Sequence, residues 1–208
     1  RVSPTVRRQL PKSGVTVTVP VYKRTTLPVS VSFKNSPLYY IDSPLSITAA
    51  PSEVNVGIPE AQMSSMTAAA VGTVDFADIN AGINTFTFPV SKITGMKITD
   101  NIDTVTVNVD ASAMTSRLID ITTGDITVKN AASKYKVTVS SADISGIKVI
   151  GPYDNISALT ADDISAVIDL SGVTLKTGTQ KVSMKLSCSD EKCWIYGNYK
   201  AVIYVTKA

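Results

Sequence analysis

A chain of 208 residues, 44% hydrophobic and 18% charged, has enough apolar material for one large β domain or two small domains, and is too apolar to be disordered. The formal charge of +3 is unevenly placed: residues 1–26 hold Arg1, Arg7, Arg8, Lys12, Lys23 and Arg24 without one acid, leaving a mildly acidic remainder that lacks the focused cations a nucleic acid partner requires. Histidine is absent, which removes the side chain most used for acid–base catalysis near neutral pH and for metal binding.

In chain order, residues 1–12 are basic and carry Pro4 and Pro11 with no apolar run, so they do not read as a secretory leader. Residues 15–31 (VTVTVPVYKRTTLPVSV) read as strand, polar connector and strand, and the outline returns at residues 105–121 (VTVNVDASAMTSRLIDI), 90 positions on. VNVGIP at residues 54–59 returns as IKVIGP at 147–152, an offset of 93. After Pro59 and Pro152 the alternation breaks and an early acid follows, which suits the first turn of a short helix. The longest run without charge, residues 61–74, is 14 residues and too short to span a bilayer, which takes about 20.

Val74-Asp75-Phe76 matches Ile168-Asp169-Leu170 at offset 94, Phe86, Phe88 and Val90 match Val182, Met184 and Leu186 at 96, and Val105 falls over Val202 at 97. Offsets that drift without changing order predict two copies of one unit: module 1 at residues 27–112 and module 2 at 113–208, joined near 111–117, with residues 1–26 an N-terminal strand and linker left from an upstream repeat. Apolar residues alternate in Leu27, Val29, Val31 and Phe33 and again in Val105, Val107 and Val109, the period of half-buried strands. The expected fold is mainly β: two tandem small modules, each an antiparallel, twisted, barrel-like sheet with one short helix.

No residue set emerges as catalytic, metal-binding or cofactor-binding. Ser145-Gly-Ile-Lys148, Tyr153-Asp-Asn155 and Lys176-Thr-Gly178 mimic in order the motifs of penicillin-binding enzymes. In those enzymes Ser and Lys share a helix face, whereas here they enter a strand, where positions three apart point oppositely. The acidic pairs Asp100/Asp103 and Asp162/Asp163 fit neither a calcium loop nor a hydrolase dyad and read as turn residues. Cys188 and Cys193 flank Ser-Asp-Glu-Lys between two strands, so a disulfide across a hairpin is expected; Asp190 and Glu191 argue against a reactive thiolate, and two ligands are too few for a metal. Trp194, Tyr196 and Tyr199, with Tyr204 beyond, either pair across the last hairpin or form an exposed strip; as a strip, Trp194, Tyr196 and Tyr199 are the candidate protein-binding patch.

Module 2 resembles the YbbR-like repeat proteins of Gram-positive and related bacteria: a strand ending in Gly151-Pro152, a short helix holding Ile156, then Ala166-Val-Ile-Asp-Leu-Ser-Gly172, an alternating strand at 181–186 and a closing strand at 201–205. Module 1 follows the outline more loosely, with Gly57-Ile-Pro59 and Val71-Gly-Thr-Val-Asp-Phe76. The resemblance implies an extracytoplasmic, non-enzymatic protein, tethered through an N-terminal transmembrane helix of a longer parent, that regulates the membrane-bound diadenylate cyclase making cyclic di-AMP. A structural or adhesive cell-wall module is the alternative. The resemblance assigns no role to any single residue, and no cofactor.

Overall fold

The computed structural model describes residues 21–208, so the strand expected at residues 15–19 lies outside the described residues. Among the described residues, fifteen strands carry the fold. The first seven are β1 (Tyr22–Lys34), β2 (Ser46–Ala50), β3 (Glu53–Pro59), β4 (Ala69–Asp75), β5 (Gly82–Pro89), β6 (Lys97–Ile98) and β7 (Thr104–Ala111). The remaining eight are β8 (Thr115–Ile119), β9 (Ile126–Lys129), β10 (Tyr135–Ala142), β11 (Ile147–Gly151), β12 (Ile164–Asp169), β13 (Gly178–Cys188), β14 (Trp194–Ile195) and β15 (Tyr199–Lys207). The protein is mainly β, and among the described residues no helix is long and apolar enough to cross a membrane.

β1 to β7 form sheets ordered β4-β1-β3-β6 and β2-β7-β5, while β8 to β15 form sheets ordered β14-β11-β8 and β10-β15-β13-β12-β9. Most ladders are antiparallel, as expected, but each half contains one parallel pair, β1 with β4 and β9 with β12. β1 serves two partners. Its residues up to Pro28 run antiparallel to β3, and from Val29 onward it runs parallel to β4. In the second half two strands share that work: β8 pairs antiparallel with β11, a 3-10 turn at Thr123–Asp125 intervenes, and β9 pairs parallel with β12.

The helical turns after the two prolines are present as a 3-10 turn at Glu60–Gln62 and an α-helix at Tyr153–Ala158. A further helical turn, Tyr39–Asp42, has no counterpart in the sequence reading. The junction between the halves is short, with only residues 112–114 separating β7 from β8.

One alignment needs correction. In the ladders Phe88 faces Val105 and Met184 faces Tyr199, so the equivalent of Val105 is Tyr199 rather than Val202. The expected offset of 97 differs from the ladder's 94 by an odd number, and an odd slip turns a strand's inner face outward. Accordingly Val105, Val107 and Val109 are fully buried, and so are Ala201, Ile203 and Val205, while Val202 is only half-buried.

Alternating residues from these strands fill one apolar core in each half, around Val54, Val56, Ile58 and Val107 in the first and Ile147, Val149, Ile168 and Ile203 in the second. A left-handed asparagine closes each parallel pair. Asn35 (φ 55°) follows β1 and its Nδ2 donates to both carboxylate oxygens of Asp75, at 3.0 and 3.1 Å. Asn130 (φ 59°) follows β9 and its Nδ2 donates to Asp169 Oδ1 at 2.8 Å. Each aspartate ends the neighbouring strand directly across from the preceding lysine, Lys34 or Lys129.

The left-handed region costs an L-residue with a Cβ about 1–2 kcal/mol, a cost that asparagine relieves by bonding locally. Asn130→Ala and Asn35→Ala are therefore each expected to lower unfolding stability by about 1–2 kcal/mol in urea titrations, with Gly recovering part of the loss.

These aspartates also set a pH dependence. Asp169 is held below the usual carboxylate range by the Asn130 bond and then by Ser171. Partial burial pushes Asp75 up, but bonds from Asn35, the Ala77 amide and Lys34, whose Nζ lies 3.0 Å away, outweigh it and leave the carboxyl low. Asp100, Asp110, Asp125 and Asp163 are lowered likewise by hydrogen bonds to neighbouring amides and side chains. A depressed carboxylate contributes stability above its unfolded pKa of about 3.9, and that contribution is lost as pH falls through the lower folded value. The melting temperature should be level from about pH 7 to 5 and fall below about pH 4, with a shallower fall in Asp75→Asn and Asp169→Asn.

Candidate functional site

The two halves meet in a third apolar cluster built from both: Tyr40, Leu45, Val74, Phe76, Ile79, Val109 and Ala111 from the first, Ile150 and Trp194 from the second. Asp75 ends β4, and its side chain accepts the Ala77 amide at 3.0 Å, turning the chain into the short helix Phe76–Asp78 and driving Phe76 inward. The Tyr39–Asp42 turn supplies Tyr40, and β14, held against β11, supplies Trp194.

Trp194 meets both other rings edge to face, with centroids 5.1 Å from Phe76 and 5.7 Å from Tyr40, as the aromatic quadrupole favours. Tyr40 and Phe76 lie 5.5 Å apart with their planes tilted by 33°. Trp194 Nε1 donates to Ile79 O at 2.8 Å, so the one polar atom of the indole is satisfied inside the cluster.

Backbone bonds close the rim: Gly197 N to Ala77 O at 2.7 Å and Tyr39 N to Glu191 O at 3.1 Å. Tyr40 Oη donates to Lys192 O at 3.3 Å, and the Lys192 ammonium lies 4.7 Å from the Tyr39 ring centre. Burial, aided by Cys193, Tyr39 and Asp190, pushes the Tyr40 phenol up to about 12, so it stays a protonated donor at neutral pH.

This arrangement corrects the expected patch. Trp194 is 4% exposed and cannot present itself to another protein. Tyr196 and Tyr199 are half-buried. Tyr199 Oη accepts from Lys148 N at 3.0 Å and donates to Tyr196 O at 3.0 Å, and the Tyr196 ring carries the Lys148 ammonium at 5.2 Å. The aromatics do not pair across the last hairpin alone; Trp194 packs across to the other half. The exposed apolar side chains nearest this junction are Leu38, Tyr39 and Ile41, on the turn that sequence reading missed.

The other motifs resolve as turns and strands. Ser145 lies outside β11 and Lys148 within it. Asp100 accepts Asn55 N at 2.6 Å and Asn55 Nδ2 at 2.8 Å, while Asp163 caps the turn begun by Thr160. Among the described residues, no group of three or more Cys, Asp or Glu side chains could hold a metal. A groove of about 700 Å³ runs between the first half's 35–38 and 75–77 segments and the outer face of β13, with Asn35, Asp75, Lys185, Ser187 and Asn198 on its walls.

Cys188 and Cys193 are thiols in this structure rather than the expected disulfide, and both pack into the apolar core of the second half. The Asp190 charge acts in the direction the sequence suggested, raising both thiols. Its carboxylate accepts Asn155 Nδ2 and Lys192 N, each at 2.8 Å. That carboxylate stays low because these bonds outweigh the burial that would raise it. The Cys193 thiol, then the Asp190 amide, draw the Cys188 thiol down against burial, whereas the Cys188 thiol, burial and the nearby carboxylate drive Cys193 up.

No family model and no curated protein matches the chain. Among solved structures it is similar to a YbbR-like protein from Streptococcus pneumoniae TIGR4, 17% identical, over 94% of this chain and 99% of that one, with a TM-score of 0.26. At this identity and score the likeness carries no residue role, partner or activity across.

Trp194→Ala should destabilise the protein by about 3–5 kcal/mol, and a double-mutant cycle of Phe76→Leu with Trp194→Phe should give a coupling of about 0.5–1.5 kcal/mol. Trp194 is the only tryptophan in the chain, so urea unfolding followed by its emission reports the junction directly.

Proposed function

We propose that the chain is a non-enzymatic, extracytoplasmic binding protein: two copies of one β module, at residues 27–112 and 113–208, fixed to each other so that they present one surface to a membrane-associated partner. The observation that carries this reading is the buried Tyr40–Phe76–Trp194 cluster, which joins the halves through ring packing and an internal hydrogen bond. Fixing two modules before binding removes the entropy that a flexible pair would lose on docking.

The repeated pairing pattern supports the duplication. β3 with β6 and β11 with β14 form matching two-residue ladders, and Gly82 and Gly178 open equivalent strands with φ of 99° and 104°. The partner class follows from the motif resemblance in Gly151-Pro152 and Asp169-Leu-Ser-Gly172, which points to a membrane-bound diadenylate cyclase. The docking surface assigned here is Leu38 and Ile41, 69% and 63% exposed at the flank of the junction, where large apolar side chains are available without unfolding anything.

The test immobilises the chain and measures recovery of the detergent-solubilised cyclase, comparing wild type with a Leu38→Ser, Ile41→Ser variant whose melting temperature should be nearly unchanged. Recovery should fall at least about tenfold in the variant, equivalent to about 1.4 kcal/mol. Equal recovery by both would move the surface elsewhere. No recovery by wild type would favour a structural cell-wall module.

A further inference from the structure

We propose that Cys188 and Cys193 form a reversible dithiol–disulfide site that exchanges electrons with small-molecule disulfides and is entered through Cys188. The two thiols differ in access: Cys188 is half-buried at the end of β13 and lines the groove between the halves, whereas Cys193 is 3% exposed. Both pack into the apolar core of the second half and line the same groove at the two ends of the 189–192 turn, which Cys193 N closes by donating to Asp190 O at 3.3 Å, so no rearrangement of strands is needed to bring the sulfurs together.

The surroundings are shaped for this pair. Gly151 lies so close to Cys193 that a Cβ there would collide with its Sγ, which gives the Gly151-Pro152 step a steric reason. The Cys193 thiol and the Asp190 amide beside Cys188 draw its thiol down, outweighing burial and the Asp190 and Asp163 charges, which favours the thiolate and hence nucleophilic attack.

In the first step the Cys188 thiolate attacks one sulfur of a disulfide RSSR, forming Cys188–S–S–R and releasing RS⁻. In the second, the Cys193 sulfur gives up its proton and attacks the Cys188 sulfur, forming the Cys188–Cys193 bond and releasing the second RS⁻. The two thiol protons end on the two released thiolates, so the pair is oxidised by two electrons and RSSR is reduced to two RSH.

The site reaches beyond itself because the bond would close the 189–192 loop into a ring. That loop carries Glu191 O, Lys192 O and the Lys192 ammonium, the groups that hold Tyr39 and Tyr40 of the other half. Oxidation therefore stiffens the contact between the halves.

The experiment treats the reduced chain with glutathione disulfide at neutral pH and follows it by intact mass and by alkylation of remaining thiols, with Cys188→Ser and Cys193→Ser alongside. Trp194 emission confirms that each is folded. Wild type should lose both thiols together with no lasting adduct. Cys193→Ser should stop as the glutathione adduct at Cys188, and Cys188→Ser should react at least about tenfold more slowly. Amide exchange at Tyr39 should slow on oxidation of wild type. A lasting adduct on wild type, thiols that survive until the protein is denatured, or a Cys188→Ser variant as reactive as wild type would each overturn the proposal.

Discussion

The structure depends on one buried hydrogen bond, Trp194 Nε1 to Ile79 O, and on the rings packed around it. A tryptophan brings a large apolar area and one donor, so it can be buried only where an acceptor waits. The acceptor here is a main-chain carbonyl of the other half, just past the Phe76–Asp78 turn. Without that turn, which Asp75 caps, Phe76 and Ile79 would not face Trp194 and the indole would have no acceptor. The aspartate that closes the parallel strand pair through Asn35 therefore also sets the contact between the halves.

The second half lacks this second use. Asp169 accepts Asn130 as Asp75 accepts Asn35, but the residues that follow it form a turn around Ser171 and Gly172 rather than a ring-bearing helix. The two halves thus share a closing device and differ in what is attached to it. Arg117 shows a similar local divergence, donating to the carbonyls of Ile156, Ser157 and Leu159 and so finishing the one true helix of the second half.

Period-two alternation located most strands because each has one buried face, as in Val105, Val107 and Val109. Proline followed by an early acid located the turns after Pro59 and Pro152 but not the one at Tyr39–Asp42. The alternation could not show where the last strand starts, since Tyr199, Ala201 and Ile203 read as well in either of two registers until paired with β13. Nor could it show that Trp194 faces the other half: its acceptor lies 115 positions away, and nothing local distinguishes an aromatic for a hairpin from one for a junction. The Asp190 charge was legible in the sequence and raises both thiols, but the bond its carboxylate accepts from Asn155, 35 positions away, exists only in the fold. A signal for the two left-handed closures was present: Lys34-Asn35 and Lys129-Asn130 recur at the spacing of Asp75 and Asp169 to within one residue.

β15 lies inside its sheet, next to the edge strand β10, with seven residue pairs to β10 on one side and seven to β13 on the other. Antiparallel hydrogen bonds run across the strand, so a lengthwise pull loads all of them in shear at once rather than opening them in turn. β6 and β14, with two residues each, have no such resistance. Under tension the chain would yield first at its short ladders and hold longest at its final strand, which makes β15 the mechanical anchor of the molecule.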